Sequence, residues 1–242
     1  MSIHFEELDY RPTPMGVLTL RRRRKPGTET DVYEIKLGDE FLMSSAFTAA
    51  EIALTDIGLS SLRHDRLDVV VGGLGLGYTA QAALADPRVG SLVVIDALPE
   101  VIEWHRTGLI PVGRELSADP RCRLVHGDFF TMATSAGGGL DPEAPGRCFD
   151  AVLVDIDHAP DNLLHPSHAV LYTARGLRSL SAHLKPGGVF ALWSNDPPEP
   201  AFEARLAEMF GAVRSHVVSF ENLSGEEEVS NTVYVGTKKD AA

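Results

Sequence analysis

One stretch constrains this chain more than any other: Arg66 to Thr79 reads RLDVVVGGLGLGYT, an apolar run that breaks into alternating glycines. Consecutive β-branched residues without polar alternation mark a strand buried on both faces, the situation of a parallel sheet covered by helices. Gly73, Gly75 and Gly77 then let the following turn approach a ligand with no Cβ in the way. A second apolar run, SLVVID, ends on Asp96, nineteen residues beyond Gly77. An acid at the tip of that second strand is placed to accept hydrogen bonds from ribose hydroxyls. Together these residues describe a nucleoside-binding unit.

The rest of the chain repeats the same alternation. Strands are expected at Asp68–Gly72, Ser91–Ile95, Cys122–Val125, Asp150–Asp155 and Val189–Trp193, with helices at Tyr78–Ala85, Pro99–Thr107, Leu171–Leu184 and Pro200–Phe210. Repeated βα units give a mainly parallel sheet with helices on both faces. AVRSHVVSF and SNTVYVGTK, flanking the acidic stretch 221–228, read as two antiparallel strands at the C-terminal end. The fold class is therefore α/β, Rossmann-like, of the class I methyltransferase type. A small N-terminal β hairpin or meander occupies residues 1–46, and residues 47–242 form the nucleoside-binding domain. Phe47 to Leu62 has helical spacing, with Thr48 as N-cap and Glu51 completing a capping box. The basic run Arg21–Lys25 and the acidic Glu226–Glu228 read as solvated turns.

Bulk properties exclude several classes. A formal net charge of −12 disfavours nucleic-acid and anionic-membrane partners. The two cysteines, Cys122 and Cys148, lack a CxxC or CxxH context, which points to reduced thiols, no zinc site and a cytoplasmic setting. No signal peptide and no run of about eighteen apolar residues is expected to direct the chain into or across a membrane.

Three further motifs narrow the ligand. Gly75, Gly77 and Ala80 match the dinucleotide pattern G-x-G-x-x-G/A, so NAD is not excluded by the motif. The G-x-G-x-G spacing of Gly73, Gly75 and Gly77 fits S-adenosylmethionine better. In HGDFF, Asp128 is placed to accept from an adenine amine while Phe129 or Phe130 covers the base; a helix N-cap by Asp128 is the competing reading. Asp155-Ile156-Asp157-His158 lies at the carboxyl end of a strand, where open α/β sheets put their chemistry. His158, His165 and His168 are close in sequence, but Pro160 and Pro166 interrupt any helix joining them, and no metal is expected. Trp104 reads as a packing residue, and Trp193 as lining an acceptor pocket.

From Leu37 to Trp193 the chain resembles the spermidine synthase family of aminopropyltransferases. The resemblance rests on GDEF followed by a helix with Glu51, the glycine loop, VVIDALPEVIEWHR, HGDFF and FDAVLVD in that order. It implies Asp96 as ribose ligand, Asp128 as adenine ligand, Asp155 as the acid engaging an attacking amine, Glu51 on the substrate side, and a homodimer. Three departures stand out. Where the family's glycine loop carries an aspartate that pairs with an aminopropyl ammonium, the G-x-G-x-G register places Leu76. His158 stands where the family has a second acid, and Ala49-Ala50 replace its pair ahead of the glutamate. Since a leucine cannot neutralise an ammonium, the expectation is methyl transfer from intact S-adenosylmethionine to a small molecule, with Asp155, Asp157 and His158 as the catalytic group. Aminopropyl transfer from decarboxylated S-adenosylmethionine is the alternative. A catalytically silent nucleoside-binding protein and an NAD-dependent oxidoreductase are more remote.

Overall fold

The computed structural model describes residues 5–25, 27–135, 139–221 and 228–239. Four strands open the chain: β1 (Phe5–Thr13), β2 (Gly16–Arg24), β3 (Asp31–Leu37) and β4 (Glu40–Ser44), joined as an antiparallel sheet in that order. By sequence pattern this region reads as two strand-like segments, PMGVLTLRRRR and TDVYEIKLGDEFLMS. TDVYEIKLGDEFLMS turned out to hold both β3 and β4, reversing at Gly38, whose φ of +59° suits a residue without a Cβ. β1 escaped notice because it is polar and largely exposed.

Helix α1 (Ala49–Leu59) leads into β5 (Leu67–Gly72), α2 (Tyr78–Ala85), β6 (Val89–Asp96), α3 (Pro99–Arg106), α4 (Pro111–Ala118), β7 (Cys122–His126), α5 (Phe129–Thr134) and β8 (Phe149–Val154). A 3₁₀ turn (Pro166–Val170), α6 (Ala174–Ala182), β9 (Leu184–Ser194), α7 (Pro200–Met209), β10 (Ala212–Glu221) and β11 (Glu228–Thr237) complete the chain. The large sheet has the order β10-β11-β9-β8-β5-β6-β7. Its β9-to-β7 portion is parallel, and β11 and β10 add antiparallel. This is the Rossmann-like arrangement expected, with β5 and β8 central and nearly every side chain on them buried.

Three local expectations differ. The helix read over Leu171–Leu184 begins later, where Thr173 Oγ1 accepts from the Gly176 N–H at 3.0 Å. β9 runs through Lys185-Pro186-Gly187-Gly188 instead of starting after it, with an irregular register opposite Phe149 to Ala151. α4 and α5 were missed; each is short, and propensity alone does not reveal a short helix. The acidic segment 222–227 lies outside the described residues.

The N-terminal sheet shares its core with the large one. Leu18, Leu20, Ile35 and Leu37 pack in the same apolar cluster as Leu54, Val69 and Leu153. Trp104, almost fully buried, donates its indole N–H to Asp9 Oδ2 at 2.7 Å and ties β1 to α3. Three residues of the basic run are paired internally: Arg22 with Glu6, Arg23 with Glu34 at 2.6 Å, and Arg24 with Asp31 at 2.7 Å.

Candidate active site

The carboxyl ends of the parallel strands open into a cleft of about 730 Å³, roofed by β3, β4 and the start of α1. Strand order divides it. The tips of β5, β6 and β7 form one half; the ends of β8 and β9, with the adjoining ends of β11 and β10, form the other.

In the first half, β6 delivers Asp96 to the cleft wall. Its carboxylate accepts from the Leu74 N–H at 2.9 Å and the Leu98 N–H at 2.8 Å, so one side chain braces two loops. Burial pushes its pKa up, opposed by those backbone donors. Asp128 also lines the cleft, and it caps α5 as well, accepting from the Phe130 N–H at 3.0 Å and the Thr131 hydroxyl at 2.6 Å. The two readings of Asp128 are thus compatible in one position. Phe129 faces the cleft from beneath Gly72, where a Cβ would come within 2.8 Å of its ring.

The three loop glycines have different duties. Gly73 (φ +95°) and Gly75 (φ +47°) line the cleft. A Cβ on Gly73 would collide with the Asp155 carbonyl, and one on Gly75 would collide with the Met43 thioether. Gly77 (φ +93°) sits at the N-terminus of α2 and faces His105 and Leu116 instead. His105 lies beneath the loop, bonded through Nε2 to the Gly75 carbonyl at 2.9 Å. Burial lowers its pKa to about 4, so it stays neutral and acts as a fixed donor.

In the second half, two carboxylates meet. Asp155 follows β8, and Glu51 enters from α1. The Thr79 hydroxyl donates to Asp155 Oδ2 at 2.6 Å. Burial and the nearby Asp155 charge push Glu51 up to about 8, and burial also raises Asp155. Neither has a basic partner among the described residues. The capping box expected at Glu51 does not form: Thr48 makes no side-chain cap bond, and Glu51 is spent on the cleft. Tyr78, His158 and Trp193 also line this half, with His158 Nε2 lying 3.6 Å from Glu40.

Asp157 is not brought into the cleft. It is 1% exposed and fully engaged, accepting from the Leu164 N–H at 2.9 Å, His168 Nδ1 at 2.7 Å and the Tyr172 hydroxyl at 2.8 Å. It organises the strap after β8, and His168 in turn stacks on Phe130 with ring centroids 3.8 Å apart. The sequence placed Asp157 beside Asp155, but consecutive-but-one residues beyond a strand end need not share a direction.

Leu76 also differs from expectation. It is 1% exposed and packs in the apolar core, away from the cleft. Its side chain therefore carries no information about a ligand's ammonium, and the carboxylates that line the half of the cleft beyond the nucleoside end are Glu51 and Asp155. Sequence reasoning missed Met43, Tyr78 and Thr79. The latter two open the helix after the glycine loop, and a first helical turn at strand tips is a usable signal. Met43, whose Sδ accepts the Leu76 N–H at 2.9 Å, gave none.

The fold is the Rossmann-like arrangement of the class I methyltransferase type, with its cleft at the carboxyl ends of the parallel strands. No family model matches the chain. It is 30% identical over 171 residues to the polyamine aminopropyltransferase of Nitrosomonas europaea, covering 66% of this chain and 47% of that protein. It is 30% identical over 129 residues to the polyamine aminopropyltransferase of Mycobacterium tuberculosis (strain CDC 1551 / Oshkosh), covering 53% and 23%. The chain thus spans less than half the length of these relatives. A spermidine synthase solved in complex with the transition-state analogue AdoDATO superposes with a TM-score of 0.73 at 15% identity, covering all of this chain and 76% of that one. The spermidine synthase of Thermotoga maritima gives a TM-score of 0.69 at 16% identity, covering 97% and 73%. In sequence the chain resembles polyamine aminopropyltransferases, and its fold is similar to that of spermidine synthases.

Proposed function

We propose that this protein transfers an aminopropyl group from decarboxylated S-adenosylmethionine to an amine. The observation that carries the reading is the Glu51–Asp155 pair: two half-buried carboxylates, each pushed upward in pKa, lining a cleft with no cation among the described residues to neutralise them. Burying charge without a partner is costly, so such a pair is a site that gains from a bound ammonium. The sequence relatives named polyamine aminopropyltransferase support the same reading. Methyl transfer from intact S-adenosylmethionine, the expectation drawn from Leu76, loses its basis because Leu76 does not face the cleft. The intact donor would also bring a third carboxylate toward two others.

In this reading the adenosyl portion lies across the tips of β5, β6 and β7. Asp96 accepts from the ribose hydroxyls, Asp128 from the adenine amine, and Phe129 supports the base. The decarboxylated donor supplies a sulfonium with an activated methylene. Asp155, held by Thr79, and Glu51 bind the acceptor's ammonium, orient it and take its proton. The free nitrogen then attacks the methylene next to sulfur. A C–N bond forms, the C–S bond breaks, and its electron pair returns to sulfur to leave neutral methylthioadenosine. Alignment and a positioned base are what the protein contributes.

Product analysis tests this. Incubation with each donor and a panel of primary amines, followed by mass spectrometry, should show methylthioadenosine from the decarboxylated donor. S-adenosylhomocysteine from the intact donor, with no methylthioadenosine from the other, would replace aminopropyl by methyl transfer.

A further inference from the structure

Resting on that reading, we infer that the acceptor is a primary amine with an apolar body, a monoamine in preference to an α,ω-diamine. The inference comes from what surrounds the carboxylate pair. In the half of the cleft beyond Asp155, the walls are Phe41, Met43, Phe47, Trp193, Phe220 and Val229. They come from five parts of the fold (β4, the segment before α1, β9, β10 and β11) and converge: Phe47, before α1, meets Phe220, at the end of β10, with ring centroids 6.3 Å apart. Phe41 (47% exposed) and Val229 (37% exposed) form an apolar rim where the cleft opens.

Among the described residues, this half offers no acid beyond Glu51 and Asp155. Asn231 Nδ2 donates to Asn195 Oδ1 at 3.1 Å, and His158 leans toward Glu40, which does not line the cleft. Among the described residues the acids lining the cleft are Glu51, Asp96, Asp128 and Asp155. Asp96 and Asp128 stand at the adenosyl end. Glu51 and Asp155 line the other half and, in the reading on which this inference rests, hold the reacting ammonium.

A diamine held there by its reacting end would direct its second ammonium at Phe47, Phe220 and Val229. Aromatic faces attract an ammonium, but the attraction is small beside the cost of stripping its water. An alkyl or aryl body meets the opposite balance, since every methylene laid on these walls leaves water. The departure at His158, where the resembled family has an acid, falls in this same half.

The test is a homologous series. Butylamine, hexylamine and octylamine, and the α,ω-diamines of equal length, are titrated calorimetrically into the protein saturated with methylthioadenosine. Monoamine affinity is expected to rise about fourfold per added methylene, equivalent to ~0.8 kcal/mol. Hexylamine should bind at least about tenfold tighter than 1,6-diaminohexane. Affinity independent of chain length, diamines binding as tightly as monoamines, or no binding of any amine would overturn the inference. Val229→Glu, at an exposed rim position where folding is not at risk, should shift preference toward diamines; an unchanged ratio would also count against it. Turnover with the same amines separates the two proposals. Methylthioadenosine released with diamines alone overturns the acceptor class and leaves aminopropyl transfer standing. S-adenosylhomocysteine from the intact donor overturns aminopropyl transfer, while the binding series still decides the acceptor's chemistry.

Discussion

Glu51 stands at the centre of the proposed chemistry. Its pKa is raised from an unfolded value near about 4.3 to about 8 by burial and by Asp155. The folded state therefore binds this proton more tightly than the unfolded chain does. The associated stability is fully present below about pH 4 and is lost as pH rises through the folded value. Glu51→Gln removes that penalty, so the variant should melt at a higher temperature than the parent at pH 8.5 and close to it at pH 5. A gap independent of pH in thermal melts would show that Glu51 is not held as described. Turnover should fall by about a hundredfold or more if the carboxylate positions the amine or takes its proton. At the other end of the cleft, Asp96→Ala should weaken methylthioadenosine binding by about 1.5–3 kcal/mol, the range for hydrogen bonds to a charged group. Unchanged calorimetric affinity in a folded variant would remove Asp96 from the ribose site.

Between elements, two loops set the geometry. The glycine loop passes so close to the segment after β8 that Gly73→Ala would both clash with the Asp155 carbonyl and occupy an unfavourable φ of +95°. It should lower stability by more than the ~1 kcal/mol usual for a point change and abolish nucleoside binding; a stable variant that still binds would contradict the close approach. The strap after β8 hangs on Asp157, whose three partners leave its carboxylate saturated. Asp157→Ala should destabilise by about 3–5 kcal/mol, since it strands buried donors, and speed limited proteolysis near residues 157–172. How much of this was legible follows from range. The strands β5 and β8, the glycine loop and the acid tips of β6 and β8 were readable because period and spacing are local. Glu51 was named as a substrate residue only through a resemblance, and its capping-box reading was wrong because Thr48 makes no side-chain cap bond and Glu51 lines the cleft. Leu76 and Asp157 were misassigned because register along a loop does not give direction.

Across the whole molecule, charge is distributed by end. At the ends of β5 and β8 away from the cleft, Lys185 bridges Asp68 and Asp150 at 2.8 Å each, and Arg147 joins Asp68 to Asp141. Burial raises the Asp68 pKa, but hydrogen bonds from Lys185 and Arg147 outweigh it and hold the group low. That stability is present above about pH 4 and is lost as pH falls further, the reverse of the Glu51 case. One end of the sheet carries paired charge, and the other the Glu51 and Asp155 carboxylates, which have no basic partner among the described residues. Among the described residues no helix is long and apolar enough to cross a membrane. The most direct test of the account is donor discrimination by calorimetry, with decarboxylated and intact S-adenosylmethionine titrated into the parent and into Glu51→Gln. The account predicts that the parent binds the decarboxylated donor at least about tenfold tighter, a difference of ~1.4 kcal/mol, and that the variant loses most of this preference. Equal or tighter binding of the intact donor by the parent would contradict it.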